Sequence, residues 1–146
     1  TVNEQTYYVP NTGKRCKIWD FDFACIPGIV ENSKVNATWT DSINVKSESH
    51  QYYDIHYFFN TMISPGFISN FFGYDGNGMP LVPNEVTEFV KRVVPNKLRS
   101  GKYISKKGRL LINYEQLKGI RGLFYKTPLE ILEQDPFFAK MRYQDK

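Results

Sequence analysis

Tyr52-Tyr53-Asp54-Ile55-His56-Tyr57-Phe58-Phe59-Asn60-Thr61-Met62-Ile63 decides the fold, because Ile55, Phe58, Phe59, Met62 and Ile63 recur at helical spacing and most positions between them are aromatic. A helix that is apolar on nearly every side has no face to give to water. It therefore belongs in the middle of a domain and is expected to be its most buried element. Ser64-Pro65-Gly66 ends it. Asp54, a carboxylate near its start, would need donors in such a setting, and backbone amides of a neighbouring loop are expected to supply them. No cluster of carboxylates or cysteines surrounds His56, which reads as a satisfied core or boundary histidine rather than a ligand or base.

Downstream, Phe67 to Phe72 leads into the turn Tyr74-Asp75-Gly76-Asn77-Gly78. The turn is like the start of a calcium loop, but Met79 and Val86 stand where oxygen ligands are required, which excludes calcium. Asn84 is expected to cap a helix running through Val94, with Val86, Phe89, Val90 and Val93 inward and Pro95 stopping it. Lys97 to Arg121 reads as basic and loop-like, with Arg109 to Ile112 extended. Thr127-Pro128-Leu129-Glu130 carries a capping-box threonine and glutamate with Pro at the first helical position. That helix is expected to bury Leu129, Ile131 and Leu132, with Asp135-Pro136-Phe137-Phe138 closing it.

Upstream, Thr6-Tyr7-Tyr8-Val9, the turn residues Pro10 to Gly13, and Cys16-Lys17-Ile18-Trp19 predict a hairpin with Asp20 just past its second strand. From Cys25 to Gln51 there is little periodicity, and a long irregular loop in a compact domain is usually functional. The expected class is mainly α with a small β-hairpin.

The 146 residues suffice for one compact domain but are short for a complete two-lobed enzyme. Aromatics at 16%, with eleven Phe and ten Tyr, exclude disorder as the general state. The charge of +4 comes from Lys and Arg lying mainly between Lys91 and Lys126, interleaved with Gly and turn residues. A solvated basic face is expected, and no nucleic-acid partner. No apolar run reaches membrane-spanning length, and the chain reads as intracellular with no membrane partner. Cys16 and Cys25 match neither a Cys-x-x-Cys pair nor a zinc spacing and are expected to be reduced, buried thiols. A start at Thr1 rather than Met is expected of a processed or longer protein.

The strongest chemical lead is Lys17-Ile18-Trp19-Asp20-Phe21-Asp22-Phe23-Ala24, an apolar strand that delivers a carboxylate at its end. Protein kinases hold Mg²⁺ against the ATP phosphates with an Asp-Phe-Gly aspartate so placed, and haloacid-dehalogenase-type phosphatases place the nucleophile and acid/base of Asp-x-Asp there. Three stretches, in order, resemble the back half of a protein kinase C-terminal lobe, and in particular the divergent serine/threonine kinase-like proteins of large DNA viruses. Lys17 to Ala24 resembles the strand entering Asp-Phe-Gly. Gln51 to Phe59 resembles the lobe's central buried helix, whose early aspartate, here Asp54, hydrogen-bonds the catalytic-loop backbone. Thr127-Pro128-Leu129-Glu130-Ile131-Leu132 followed by Asp135-Pro136-Phe137-Phe138 resembles the lobe's terminal pattern. The resemblance implies a partial kinase-like domain over 1–146: hairpin and Asp-Phe-Gly-like strand at 1–24, activation-segment-like loop at 25–51, helical lobe at 52–146. It implies Mg²⁺ and ATP as cofactors of a full-length parent, with Asp20 as metal and nucleotide ligand, Asp22 as a second metal ligand, and Asp54 structural. Arg99 and Arg109 become candidates for the lobe's structural arginine, although a surface position is the commoner fate of such residues. Implied partners are a protein substrate, the N-terminal part of the kinase, or virion proteins; implied locations are host cytoplasm or virion.

Departures from the pattern are equally specific. Asp22 replaces the glycine of Asp-Phe-Gly, there is no Ala-Pro-Glu, and the chain contains no Gly-rich phosphate loop, Val-Ala-Ile-Lys lysine or His-Arg-Asp catalytic loop. No catalytic residue is therefore assigned within this segment, which should be inactive alone. Two other readings remain: a catalytically silent kinase-like structural or scaffolding protein of a virion, and an Asp-x-Asp phosphatase. The phosphatase pattern usually continues with Gly and then Thr or Val, whereas Phe23 and Ala24 follow here.

Overall fold

A computed structural model describes residues 1–17, 21–26, 28–35, 37–39, 51–120 and 127–142. Among these the chain is mostly helical with little strand: α1 (Tyr53–Met62), α2 (Asn84–Val93), α3 (Tyr114–Lys118) and α4 (Pro128–Gln134), with 3₁₀ turns at Asn96–Leu98 and Pro136–Met141. Among the described residues β-structure is confined to isolated bridges. No helix of the described residues is long and apolar enough to cross a membrane.

Two apolar clusters make the core, and α1 lies between them, since Ile55 packs against both. The first joins Tyr52 to Leu98, Ile104, Leu110, Ile112 and Leu117. The second joins Phe71 to Phe89, Val90, Val93 and Val94 of α2 and its end, and to Ile131 of α4. At its centre Phe89 meets Phe59 edge-on at 5.4 Å, stacks on Phe137 at 4.6 Å and meets Phe138 edge-on at 5.5 Å. Such ring pairs add about 0.5–1.5 kcal/mol each beyond the area they bury.

The α1 helix forms where its pattern predicts, but it is not apolar-buried on most sides. Its own buried residues are His56 and Asn60, Phe58 is 60% exposed, and Asp54 is exposed. The loop around Tyr74–Gly78 is a tight turn: Asp75 Oδ1 accepts from the amides of Asn77 and Met79 at 2.8 Å each, and Gly78 takes a φ of 77°. On α2, Phe89, Val90 and Val93 face inward as expected, joined by Thr87, while Val86 is only partly buried. The residue preceding the helix is Pro83, so Asn84 opens the first turn instead of capping it.

The basic stretch after α2 is far more ordered than its composition suggested. Ile104 bridges Leu110, Ser105 donates to the Arg109 carbonyl at 2.8 Å, and Leu111 donates to that of Tyr103 at 2.8 Å, which closes a hairpin. Asn113 and Gln116 then form a reciprocal capping box that starts α3. The Thr127–Glu130 box at α4 forms as predicted, with both bonds made. Of the apolar residues expected to be buried there, Ile131 is, Leu132 is half-buried, and Leu129 is exposed.

Within the described residues the N-terminal hairpin does not form. Tyr7 bridges Arg142 and Tyr8 donates to the Met141 carbonyl at 2.6 Å, while residues 10–17 carry no strand. The second arm's Ile18, Trp19 and Asp20 lie outside the described residues. Cys16 is exposed and Cys25 half-buried, and no disulfide joins them, so neither has the buried position expected of it. The described parts of 25–51 are irregular, held by an Ile26–Val30 bridge and short turns.

Candidate functional site

The predicted site residues do not converge among the described residues. Asp20 lies outside them. Asp22 sits in the turn Phe21–Ala24, where the Ala24 amide donates to the Phe21 carbonyl at 2.9 Å and Asn32 Nδ2 holds the carbonyls of Asp22 and Ala24 at 2.8 and 3.1 Å. Its carboxylate is 2.7 Å from Lys34 Nζ, with both side chains more than half exposed. No group of three His, Cys, Asp or Glu side chains able to hold a metal occurs among the described residues. Asp54 is exposed on the first turn of α1, and the backbone amides expected to bond it are not found among the described residues. At that position it complements the positive end of the helix.

Instead, α1 brings together a polar seam. Tyr52, His56 and Asn60 are spaced four apart and so share one stripe. The Tyr52 hydroxyl donates to the Val93 carbonyl, His56 Nε2 lies 2.6 Å from the Leu98 carbonyl oxygen, and Asn60 Nδ2 donates to the Gly108 carbonyl at 3.0 Å. A carbonyl can only accept, so the Nε2 of His56 carries the proton. His56 is wholly buried and satisfied on this side, as the sequence suggested. The three acceptors lie at the end of α2, at the end of the 3₁₀ turn and in the basic hairpin, so the stripe fixes all three against α1.

Neither Arg99 nor Arg109 is a plain surface charge. Arg99 Nε donates to the Val94 carbonyl at 2.9 Å, its guanidinium lies 4.7 Å over Phe72, and desolvation lowers its pKa. Arg109 stacks 4.3 Å over Tyr57 and reaches the Tyr53 hydroxyl at 3.4 Å. Burial alone would lower its pKa, but the bonds and charge of Tyr53 and Tyr57 carry it above the usual value. The arginine that does meet a buried acid is Arg92, bound to Asp135 by two bonds. That bonding raises its pKa over the opposing effect of desolvation. Sequence reading passed over this pair, though a basic residue in a helix's last turn and an Asp-Pro after another helix were both visible.

In sequence, the chain is 45% identical over 144 residues to a protein of Acanthamoeba polyphaga mimivirus named "putative serine/threonine-protein kinase". The similarity takes in 98% of this chain but 28% of that protein's length. No family model matches the chain, and no solved structure does. The chain is thus similar along nearly its whole length to a fraction of a viral protein carrying a kinase name.

Proposed function

We propose that this chain is the C-terminal-lobe part of a serine/threonine kinase-like viral protein, with residues 1–24 entering the metal site, 25–51 as activation segment and 52–146 as helical lobe. The observation that carries the reading is the 45% identity along 98% of the chain to the mimivirus protein of that name. The order of landmarks supports it: a central helix at Tyr53–Met62, then a capped terminal helix at Pro128–Gln134 running into Asp135-Pro136-Phe137-Phe138. In the longer protein, Asp20 holds Mg²⁺ and with it ATP, and the γ-phosphate passes to Ser or Thr of a protein substrate. Asp54, exposed on α1, is open to the backbone amides of a catalytic loop supplied by the rest of that protein. Asp22 fits a metal site poorly while Lys34 holds its carboxylate at 2.7 Å, so the metal role rests on Asp20.

The test is Asp20→Asn in the longer protein, a near-isosteric change that removes the charge on the metal. Phosphorylation of a Ser/Thr peptide should be abolished while the circular dichroism stays unchanged; retained transfer would sink the reading. The chain alone, with neither phosphate loop nor catalytic lysine, should show no saturable micromolar Mg²⁺-ATP site by calorimetry. A second reading, a silent kinase-like scaffold of a virion or the host cytoplasm, is favoured by Asp22 standing in the glycine's place. It predicts a longer protein that transfers no phosphate even unmutated. Mg²⁺-dependent hydrolysis of a small phosphoester, lost in Asp20→Asn, would instead select the phosphatase.

A further inference from the structure

Residues 94–114 contain Lys97, Arg99, Lys102, Lys106, Lys107 and Arg109 and no Asp or Glu, against a net charge of +4 for the whole chain, so the rest of the molecule is net acidic. Elsewhere four lysines are neutralised locally, Lys34 by Asp22, Lys91 by Glu88, Lys118 by Glu115 and Lys140 by Glu85, while Lys14 and Lys17 near the start of the chain are exposed and make no ion pair among the described residues. Among the described residues no carboxylate lies within ion-pair distance of Lys102, Lys106 or Lys107, all three exposed. They are mounted on a rigid support. The hairpin is closed by the Ile104–Leu110 bridge and anchored by the fully buried Leu98 and Leu110, so the lysine backbones are fixed before any partner arrives.

We propose that this hairpin is a docking surface for a short Asp/Glu-rich segment of a partner protein, a proposal that does not depend on the kinase reading. The chemistry of the exposed groups favours that partner. Arg99 and Arg109 turn their guanidiniums onto Phe72 and Tyr57, so what faces outward is ammonium, which accepts carboxylates in any orientation. Tyr103 is half-buried, and Lys102 covers its ring at 4.8 Å, on the face a base would need for stacking.

Fluorescence anisotropy of the chain with a fluorescein-labelled peptide of alternating Glu and Asp tests this. Saturable binding is expected, weakened by added salt. Lys106→Glu/Lys107→Glu should weaken it by about tenfold or more, given electrostatic coupling of this kind. Lys91→Glu/Lys140→Glu, with the same net charge, should leave it within about twofold by the same reasoning. Thermal melts check that each variant folds. Absence of binding, or equal loss in both double variants, would overturn the proposal. So would tighter, Lys106- and Lys107-dependent binding of single-stranded DNA or of phosphatidylserine vesicles.

Discussion

The guanidinium of Arg92 meets the carboxylate of Asp135 through two parallel bonds, Nε to Oδ2 at 2.8 Å and Nη2 to Oδ1 at 2.7 Å. Asp135 is 3% exposed and also accepts from the Phe137 amide at 2.9 Å, while Arg142 binds its carbonyl at 2.8 Å. One carboxylate therefore ties α2 to the end of α4 and starts the closing 3₁₀ turn. Arg92 is partly open to solvent, so the lost Coulomb attraction is screened, but the Phe137 amide would lose its acceptor. Asp135→Ala should cost about 2–4 kcal/mol in urea unfolding, and Asp135→Asn, which keeps an acceptor, less. A loss no larger than that of Glu88→Ala, at an exposed pair, would refute this.

The His56–Leu98 bond makes a second prediction. His56→Leu keeps the volume roughly but leaves a buried carbonyl without its donor, so the urea midpoint should fall by the equivalent of about 1–3 kcal/mol at unchanged m-value. Unaltered stability would mean that the seam does not hold the 3₁₀ turn.

Gly73 and Asn70 should behave as a coupled pair. A Cβ at Gly73 would stand 1.9 Å from Asn70 Nδ2 and 2.1 Å from its Cγ, and Asn70 holds a φ of 57°. Gly73→Ala forces the exposed Asn70 side chain out of its rotamer, at a cost of about 0.5–1.5 kcal/mol. Adding Asn70→Gly removes the obstruction and suits the backbone angle, so the double variant should recover most of that loss. Additive losses in the cycle would contradict the geometry.

A fourth prediction concerns alkaline pH. Burial pushes the Tyr53 phenol above its usual pKa, outweighing the lowering by Arg109's hydrogen bond and charge. Since the folded state then binds that proton more tightly than the unfolded state, Tyr53 has no effect on the pH dependence well below about 10. Stability declines as pH rises from there through the folded value. Tyr53→Phe cannot ionise, so its stability should fall less steeply above pH 10, and parallel slopes would exclude the assignment.

How far the fold could be read depended on where each residue's partners lay. The Thr127–Glu130 box and the Tyr53–Met62 helix were legible because both signals are local. The burial of α1 was not. Its polar stripe faces inward because carbonyls 41 to 48 residues later in the chain require donors, a demand no local pattern reveals. The same limit defeated the N-terminal hairpin: turn chemistry at Pro10–Gly13 pointed to a neighbour, yet Tyr7 pairs with Arg142. The Asn113–Gln116 box, in contrast, was readable and was obscured by the lysines before it. Of the candidate site, Asp22 could be followed only to Lys34, and the exposure of Asp54 was hidden by the aromatic residues around it.

The seam also sets a timetable for synthesis. His56 must wait for Leu98, 42 residues on, and Asn60 for Gly108, 48 residues on. At about 5–20 residues per second, α1 spends several seconds beyond the ribosome before the groups that hold it emerge. During that interval its aromatic side chains have neither completed cluster to enter, and the newborn segment from Tyr52 to Ile63 must present them to water.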